Sequence, residues 1–177
     1  MTAPPTADPA ATAPLARRTA LAILGFLFAV NLLNYIDRYV LAGVLPLIEG
    51  EFRGVSKQQL GGLASAFLLV YTLASPFCGW LGDRGRRLGL IGGGVLLWSL
   101  AAAGAGLVRS FGQLFFSRAL VGIGEAAYGA TAPTVIADLF PPERRGRAIT
   151  FFYLAIPVGS ALGYVLGGWL GASWSWR

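Results

Sequence analysis

The sequence predicts an all-α membrane protein with five transmembrane helices. Of its 177 residues, 55% are hydrophobic and only 12% are charged, whereas a soluble domain carries about 25% charged residues. Uncharged apolar stretches long enough to cross a bilayer recur along the chain. The basic residues lie mainly in the short segments between these stretches, as expected where charge sets membrane orientation.

The first helix is predicted at about residues 18–47. It follows residues 1–17, which have too few large apolar side chains to fold and are expected to form a disordered cytoplasmic tail. Pro46 and Gly50 are expected to end the helix.

This helix carries Asp37 and Arg38 where it should pass through lipid. A charged side chain near the bilayer centre costs roughly 2.5–3.5 kcal/mol on insertion scales, so such residues normally face protein or water. Asn31, Asn34 and Arg38 fall on one helix face, and Asp37 lies about 100° away from Arg38. The sequence therefore predicts a polar face on the first helix. The alternative is that Asp37 and Arg38 mark the helix end at the lipid headgroups.

Four further helices are predicted from the remaining apolar stretches, at about residues 60–82, 88–108, 113–140 and 148–172. Charged turns follow the second and the fourth of the five helices. The fifth helix has glycines four residues apart, a spacing that lets helix backbones approach closely: Gly159, Gly163, Gly167 and Gly171. Residues 18–177 are therefore expected to form one partial helical bundle.

In this topology eight basic residues lie on one side of the membrane and four on the other. The excess predicts that the amino terminus and both charged turns are cytoplasmic, with the carboxyl end outside. Almost all the basic residues are arginine, and Ala and Gly abound, as in GC-rich bacterial genomes, so we expect a bacterial inner membrane. The larger set is Arg17, Arg18, Arg84, Arg86, Arg87, Arg144, Arg145 and Arg147, and the smaller set is Arg53, Lys57, Arg109 and Arg177.

A repeat of almost ninety residues is visible in the chain. Asp37 corresponds to Glu125, and the segment Gly-Trp-Leu-Gly that begins at Gly79 recurs at Gly168. One period covers three spans, so successive copies point in opposite directions across the membrane. The pattern predicts a 3+3 inverted repeat whose second copy is incomplete, an architecture that places the binding site of transporters at the repeat interface.

Composition excludes several classes of function. The chain has no His and one Cys, so no intramolecular disulfide can form and no metal site is expected. Cys78 is interpreted as a small packing residue. No Ser–His–Asp or Cys–His set can be assembled, so we expect neither an enzyme nor a bound cofactor. The net charge of +6 falls in short loops beside apolar spans, which indicates membrane orientation rather than nucleic-acid binding.

The fourth helix carries Arg118, Gly122, Glu125 and Gly129 on one face. Arg118 and Glu125 lie about 10 Å apart along the helix axis, at 1.5 Å per residue, which is too far for an ideal direct pair. Each therefore needs a partner on another helix, and Asp37 is the candidate for Arg118. The alternative to a functional constellation is a purely structural buried ion pair.

The segment from Gly79 to Arg87, Gly-Trp-Leu-Gly-Asp-Arg-Gly-Arg-Arg, resembles the loop signature G-x-L-x-D-R-x-G-R-R of the major facilitator superfamily. It departs from that signature at Arg86 and Leu88. The resemblance implies the amino-terminal half-bundle of the superfamily, with a latch that joins its two halves when the outward side is open. The alternative is an ordinary positive-inside turn. The expected latch residues are Gly79, Asp83, Arg84, Arg87 and Asp138.

Three longer segments, residues 34–46, 124–140 and 151–164, are similar to the Spinster family of that superfamily. The similarity runs from about Ala20 to Arg177 and covers five of the family's twelve helices. It implies export of lysophospholipids and phosphorylated sphingoid bases, in some members with proton coupling. The superfamily's fourth-helix motif R-x-x-x-G-x-G also begins here at Arg118. The proton-coupling residues that the resemblance implies are Asp37, Arg118 and Glu125.

The leading hypothesis is therefore the amino-terminal part of a proton-coupled lipid transporter. Its expected partners are the lipid bilayer, protons, an amphiphilic or anionic small-molecule substrate and the missing carboxyl-terminal half. A guanidinium suits a phosphate or carboxylate headgroup, and the expected substrate residues are Asn34, Arg38, Tyr71 and Tyr128. One alternative is an organic-anion or sugar-phosphate symporter of the same superfamily. Another is a membrane fragment that transports nothing.

Overall fold

The computed structural model describes residues 17–52 and 54–177, and this part of the chain is helical without strands. The all-α prediction is confirmed. The helices are α1 (Arg17–Glu51), α2 (Lys57–Leu81), α3 (Arg87–Ala105), α4 (Phe111–Leu139), α5 (Pro142–Tyr153) and α6 (Ala155–Ser173). Most of the predicted tail, residues 1–16, and Arg53 lie outside the described residues.

Local sequence signals set where several helices begin. Ser56 caps α2: its hydroxyl accepts the backbone N–H of Gln59 at 3.2 Å, and the Gln59 side chain accepts the N–H of Ser56 at 2.8 Å. This reciprocal arrangement satisfies two of the free donors at the helix start. Ser110 caps α4 by accepting the N–H of Gln113 at 3.3 Å. Pro142 occupies the first turn of α5, where a proline costs no helical hydrogen bond.

A tight turn at Gly82–Arg86 separates α2 from α3. Gly85 has a φ of 85°, in the left-handed region that only glycine enters without strain. Three helical stretches are long and apolar enough to cross a membrane: Arg17–Glu51, Lys57–Ala105 and Pro142–Ser173. The second of these contains the turn, so it supplies two antiparallel helices.

The helix bounds differ from the predicted ones in two places. α1 continues through Pro46 to Glu51, because a proline inside a membrane helix removes one hydrogen bond and neighbouring helices can compensate. The predicted fifth helix, residues 148–172, corresponds to two segments, α5 and α6. Its start lies earlier because Pro142 already begins a helix, and it is interrupted at Leu154.

α1 packs along α6, and the two helices run in the same direction. The glycines of α6 meet α1 in ascending order: a Cβ added at Gly159 would lie 2.6 Å from Tyr35 Cβ, and one at Gly167 would lie 2.5 Å from the Val40 carbonyl oxygen. Only glycine permits this approach of the two backbones. The predicted packing role of the glycine stripe therefore has a specific partner, α1.

α4 lies between α2 and α3. On the α2 side, a Cβ at Gly122 would lie 2.9 Å from the Phe67 carbonyl oxygen, and on the α3 side one at Gly124 would lie 2.7 Å from Trp98 N. Ser117 adds a buried hydrogen bond, its hydroxyl donating to the Ala101 carbonyl at 2.7 Å. Thirteen residues of α4 are buried in the described structure, which makes it the central helix of the bundle.

The contacts between helices give the relative directions of the five long ones. α1, α3 and α6 run one way, and α2 and α4 run the other way. The start of α1, the Gly82–Arg86 turn and the start of α5 therefore meet at one end of the bundle. Eight arginines belong to that end, so the predicted asymmetry of basic residues is present in the three-dimensional arrangement.

Candidate functional site

Two ion pairs join α1 to α4 near the middle of both helices. Arg118 Nη1 lies 3.7 Å from Asp37 Oδ2. Arg38 is paired with Glu125, and its Nε donates to Glu125 Oε2 at 3.1 Å. Arg118 is 6% exposed and Glu125 is 1% exposed. The expectation that the charged faces of the first and fourth helices meet inside the bundle is therefore confirmed, and so is the pairing of Arg118 with Asp37.

The second pair, Arg38 with Glu125, was not predicted. Asp37 and Arg38 are neighbours on α1, yet their partners lie two helical turns apart on α4. The lengths of the side chains resolve this: each pair joins a short acid to a long arginine. Arg38 reaches from α1 toward Glu125, and Arg118 reaches from α4 toward Asp37, so both pairs close.

Arg38 is also surrounded by aromatic rings. Its guanidinium carbon lies 4.8 Å from the ring centre of Tyr35, 4.6 Å from that of Phe67 and 5.4 Å from that of Tyr71. Cation–π contacts at this range contribute about 0.5–1 kcal/mol at exposed sites and more where water is excluded. Arg38 is thus held in position by rings from α1 and α2 as well as by Glu125. The structure places the predicted Tyr71 at this site.

Several buried polar atoms beside the ion pairs have no hydrogen-bond partner among the described residues. Among them are Asn34 Nδ2, Asp37 Oδ2, Arg118 Nε and Glu125 Oε1. Asn34 projects from the same face of α1 as Arg38, and its amide lies next to the Glu125 carboxylate. Buried polar atoms left unsatisfied typically cost about 1–3 kcal/mol each. The site therefore keeps hydrogen-bonding capacity that its own side chains do not use.

The two ion pairs open into different cavities. A cavity of about 270 Å³ between α1, α2 and α4 contains Arg38 and Glu125. A second cavity of about 280 Å³ between α1, α3 and α4 contains Asp37. Arg118 and Leu41 line both cavities, and Arg118 is the charged residue that they share. Apart from these charges the first cavity is largely apolar, its walls including Leu41, Leu45, Leu60, Leu63, Phe67 and Val121.

Tyr128, which was predicted to be a substrate residue, lies in the core of the bundle. It is 1% exposed, lines neither cavity, and its hydroxyl donates to the Leu27 carbonyl. Its ring packs edge-on against Trp98, with 5.6 Å between the ring centres. Tyr128 ties α4 to α1 and α3 within the core, which leaves its hydroxyl no access to a substrate in this structure.

The predicted latch residues surround the turn between α2 and α3. Arg87 pairs with Asp138, so the start of α3 is tied to the end of α4. The Arg84 guanidinium lies 3.5 Å from the ring centre of Trp80. Asp83 is exposed and has no salt bridge to another described residue, and Gly79 has open space around its Cα. The structure therefore brings two of the five residues together.

Two further polar contacts were not predicted from the sequence. Asn31 donates to the Phe152 carbonyl at 3.1 Å. In the sequence, the one indication of a role for Asn31 is that it shares a helix face with Asn34 and Arg38. At the opposite end of the bundle, Glu51 pairs with Arg177. The two residues are 126 positions apart, and no pattern in the sequence connects them.

The sequence of this chain is similar to those of known proteins. A sequence profile of the Major Facilitator Superfamily matches residues 27–177. Protein spinster homolog 1 of Homo sapiens is 43% identical over 164 residues, which are 90% of this chain and 31% of the relative. Sphingosine-1-phosphate transporter SPNS2 of Xenopus tropicalis is 39% identical over 165 residues, 90% of this chain and 32% of the relative. The chain thus spans about a third of the length of these relatives.

Solved structures of a bacterial Spinster homologue are also similar to this chain. A bacterial homologue of the human lysosomal transporter Spinster, in an inward-facing and unoccupied conformation, superposes with a TM-score of 0.81 and 32% identity. The match covers 88% of this chain and 32% of the bacterial one. The inward-facing and occupied conformation gives a TM-score of 0.80.

Proposed function

Because the chain belongs to the Major Facilitator Superfamily and is similar to Spinster proteins, we propose that it is the amino-terminal part of a proton-coupled exporter. The proposed substrates are lysophospholipids or sphingoid-phosphate-like amphiphiles. The observation that carries the proposal is the position of the Arg38–Glu125 pair, at the wall of a cavity that is otherwise apolar.

An amphiphile matches the two parts of this cavity. The guanidinium of Arg38 can form two parallel hydrogen bonds with a phosphate, and the surrounding rings hold it in place. Leucines of α1 and α2 line the remainder of the cavity, where an alkyl chain gains about 0.8 kcal/mol for each buried methylene. A sugar phosphate would use the arginine but would leave the apolar walls without a partner.

Proton coupling rests on the competition between the acids and a substrate for the same arginines. An arginine stays protonated in proteins, so Arg38 and Arg118 are fixed positive charges. Protonation of Glu125 would release Arg38 to an anionic headgroup, and protonation of Asp37 would release Arg118. Since Arg118 lines both cavities, it would transmit the state of Asp37 to the substrate site.

We also propose an orientation and a latch. The end of the bundle with the arginine-rich turns would face the cytoplasm of a bacterial inner membrane. Within the proposed latch, the Arg87–Asp138 pair fixes the α3 and α4 ends, and Asp83 together with Gly79 and Arg84 would remain for contacts with the carboxyl-terminal half.

The test uses the full-length protein in vesicles, with a lysophospholipid and a sugar phosphate as competing substrates. We expect transport of the lysophospholipid driven by a pH gradient, and a loss of at least tenfold in Arg38→Ala. Arg109→Ala is the control, because Arg109 is exposed and lies outside both cavities. Preference for the sugar phosphate would favour the symporter alternative, and no transport of either substrate would contradict the proposal.

A further inference from the structure

The fifth membrane-spanning stretch is broken at Leu154, between α5 and α6. Pro157 follows three residues later, and a proline has no N–H for the carbonyl four residues before it, here that of Tyr153. Among the described residues, the Phe152 carbonyl has the N–H of Leu154 at the break as a backbone donor, but none from the turn that follows. The break therefore leaves carbonyl groups without helical donors in the interior of the span.

Asn31 of α1 supplies one of the missing donors. Its side-chain Nδ2 donates to the Phe152 carbonyl at 3.1 Å, and Asn31 is itself only 5% exposed. In lipid, a backbone carbonyl that loses its regular helical donor at a break has to be satisfied by a neighbouring helix. The amide of Asn31 is placed where that need arises, one residue before the last residue of α5.

We propose that Asn31 is the positioning residue of a hinge at Leu154. Its amide replaces the absent helical donor and so fixes the angle between α5 and α6. α5 carries the arginines of the turn after α4, and its Phe152 ring packs 6.3 Å from the ring of Tyr128. A change at Asn31 would therefore shift the whole inner segment of the fifth span. The hinge is a property of the fold and does not depend on the proposed transport function.

The inference predicts that Asn31 and Pro157 act on one feature. Removing the donor should let α5 take several angles, because the Phe152 carbonyl then seeks other partners. Replacing Pro157 by alanine restores an N–H for the Tyr153 carbonyl and allows the helix to continue across the break, which would bring the N–H of Ile156 to the Phe152 carbonyl. The second change should consequently compensate for the first.

The experiment measures the position of α5 in the full 177-residue chain, reconstituted in lipid nanodiscs. Spin labels are attached at Leu100→Cys in α3 and Arg145→Cys in α5, both exposed, in a Cys78→Ala background. Double electron–electron resonance then gives the distribution of distances between them. We expect Asn31→Leu to broaden the distribution at least twofold and Asn31→Leu with Pro157→Ala to narrow it again.

Ser117→Ala is the matched control, since it also removes one buried bond from a side chain to a carbonyl, but far from the break. It should leave the distribution unchanged. If Asn31→Leu does not fold, Asn31→Ala removes the donor without adding bulk and is judged by the same criterion. An unchanged distribution in the Asn31 variant, or a broadening that Pro157→Ala fails to reverse, would overturn the proposal.

Discussion

At the scale of single residues, the main feature of the site is which charged residues pair with each other. Two neighbouring residues of opposite charge on α1, Asp37 and Arg38, avoid each other and pair with α4 instead. A buried charge without a partner is expensive, and in real proteins the penalty is still several kcal/mol per ion. Removing one member of either pair therefore leaves its partner as an uncompensated charge within the bundle.

Asp37→Asn in the full-length protein should abolish the pH dependence of transport and leave substrate binding largely intact, because the neutral side chain mimics the protonated acid. Arg118→Ala should lose both properties, since it removes the charge shared by the two cavities. Transport rates at several pH values, together with binding of the lysophospholipid, measure the two effects separately. Normal proton-driven transport by Asp37→Asn would make Asp37 a structural residue.

Arg38→Ala should destabilise the chain by about 3 kcal/mol, because the carboxylate of Glu125 remains buried without its partner. Combining it with Glu125→Gln removes the charge and should recover most of this loss. Unfolding in mixed detergent micelles gives the free energies of the parent, the two single variants and the double variant. Equal losses in Arg38→Ala and in the double variant would show that the pair is not coupled.

At the scale of helices, glycine determines which elements come together. The contact between α1 and α6 has little space, as the glycines of α6 lie directly on the backbone of α1. Without a hydrophobic effect between helices in lipid, close van der Waals packing drives their association. Single added methyl groups on this face should therefore have large effects, and those on the other face of α6 should have none.

Gly163→Ala should destabilise the chain by about 1–3 kcal/mol, the usual cost of overpacking, because the added Cβ would lie 2.7 Å from the Ile36 carbonyl oxygen. Gly168→Ala is the control on the same helix, since a Cβ there would meet nothing within 4 Å. The same unfolding measurement compares the two variants. Alanine has a higher helix propensity than glycine, so a Gly168→Ala loss as large as that of Gly163→Ala would contradict the α1 contact as the cause.

At the scale of the whole molecule, the contacts show a bundle whose helices alternate in direction and whose arginines gather at one end. The chain spans about a third of the length of its relatives. Alternating access in such folds requires two halves that move about a central site.

The 177-residue chain alone should not transport. In vesicles, a pH gradient should drive no uptake or export of lysophospholipid by this chain, whereas the full-length protein should show both substrate movement and proton movement. Protein-free vesicles provide the baseline for passive flux. Proton-driven transport by the purified chain would refute the need for a second half.

Orientation can be tested by labelling single cysteines in the Cys78→Ala background. Arg145→Cys should react with an impermeant maleimide only in inverted membrane vesicles, and Arg109→Cys should react from outside intact cells. Both positions are exposed in the structure and lie at opposite ends of the bundle. The reverse pattern would place the amino terminus outside and contradict the proposed orientation.

The sequence by itself determined the class of the protein and the order of its helices, but not that α1 continues to Glu51 or that the fifth stretch begins at Pro142 and is interrupted at Leu154. Hydropathy, charge and capping residues are local properties, so they can be read from the chain without knowing its packing. The pairing of Arg118 with Asp37 was also predictable, because a charge inside a membrane must find an opposite charge and few were available.

Only the tertiary structure decided how the helices are rotated against one another. Because of that rotation, Arg38 pairs with Glu125. The rotation also places Tyr128 in the core, where its hydroxyl donates to the Leu27 carbonyl. It also brings Asn31 to the break in the fifth span. These contacts join residues about ninety or more positions apart, and the close approach of glycine backbones selects them. The spacing of the glycines predicts that another backbone approaches α6 closely, but it does not identify that backbone as α1.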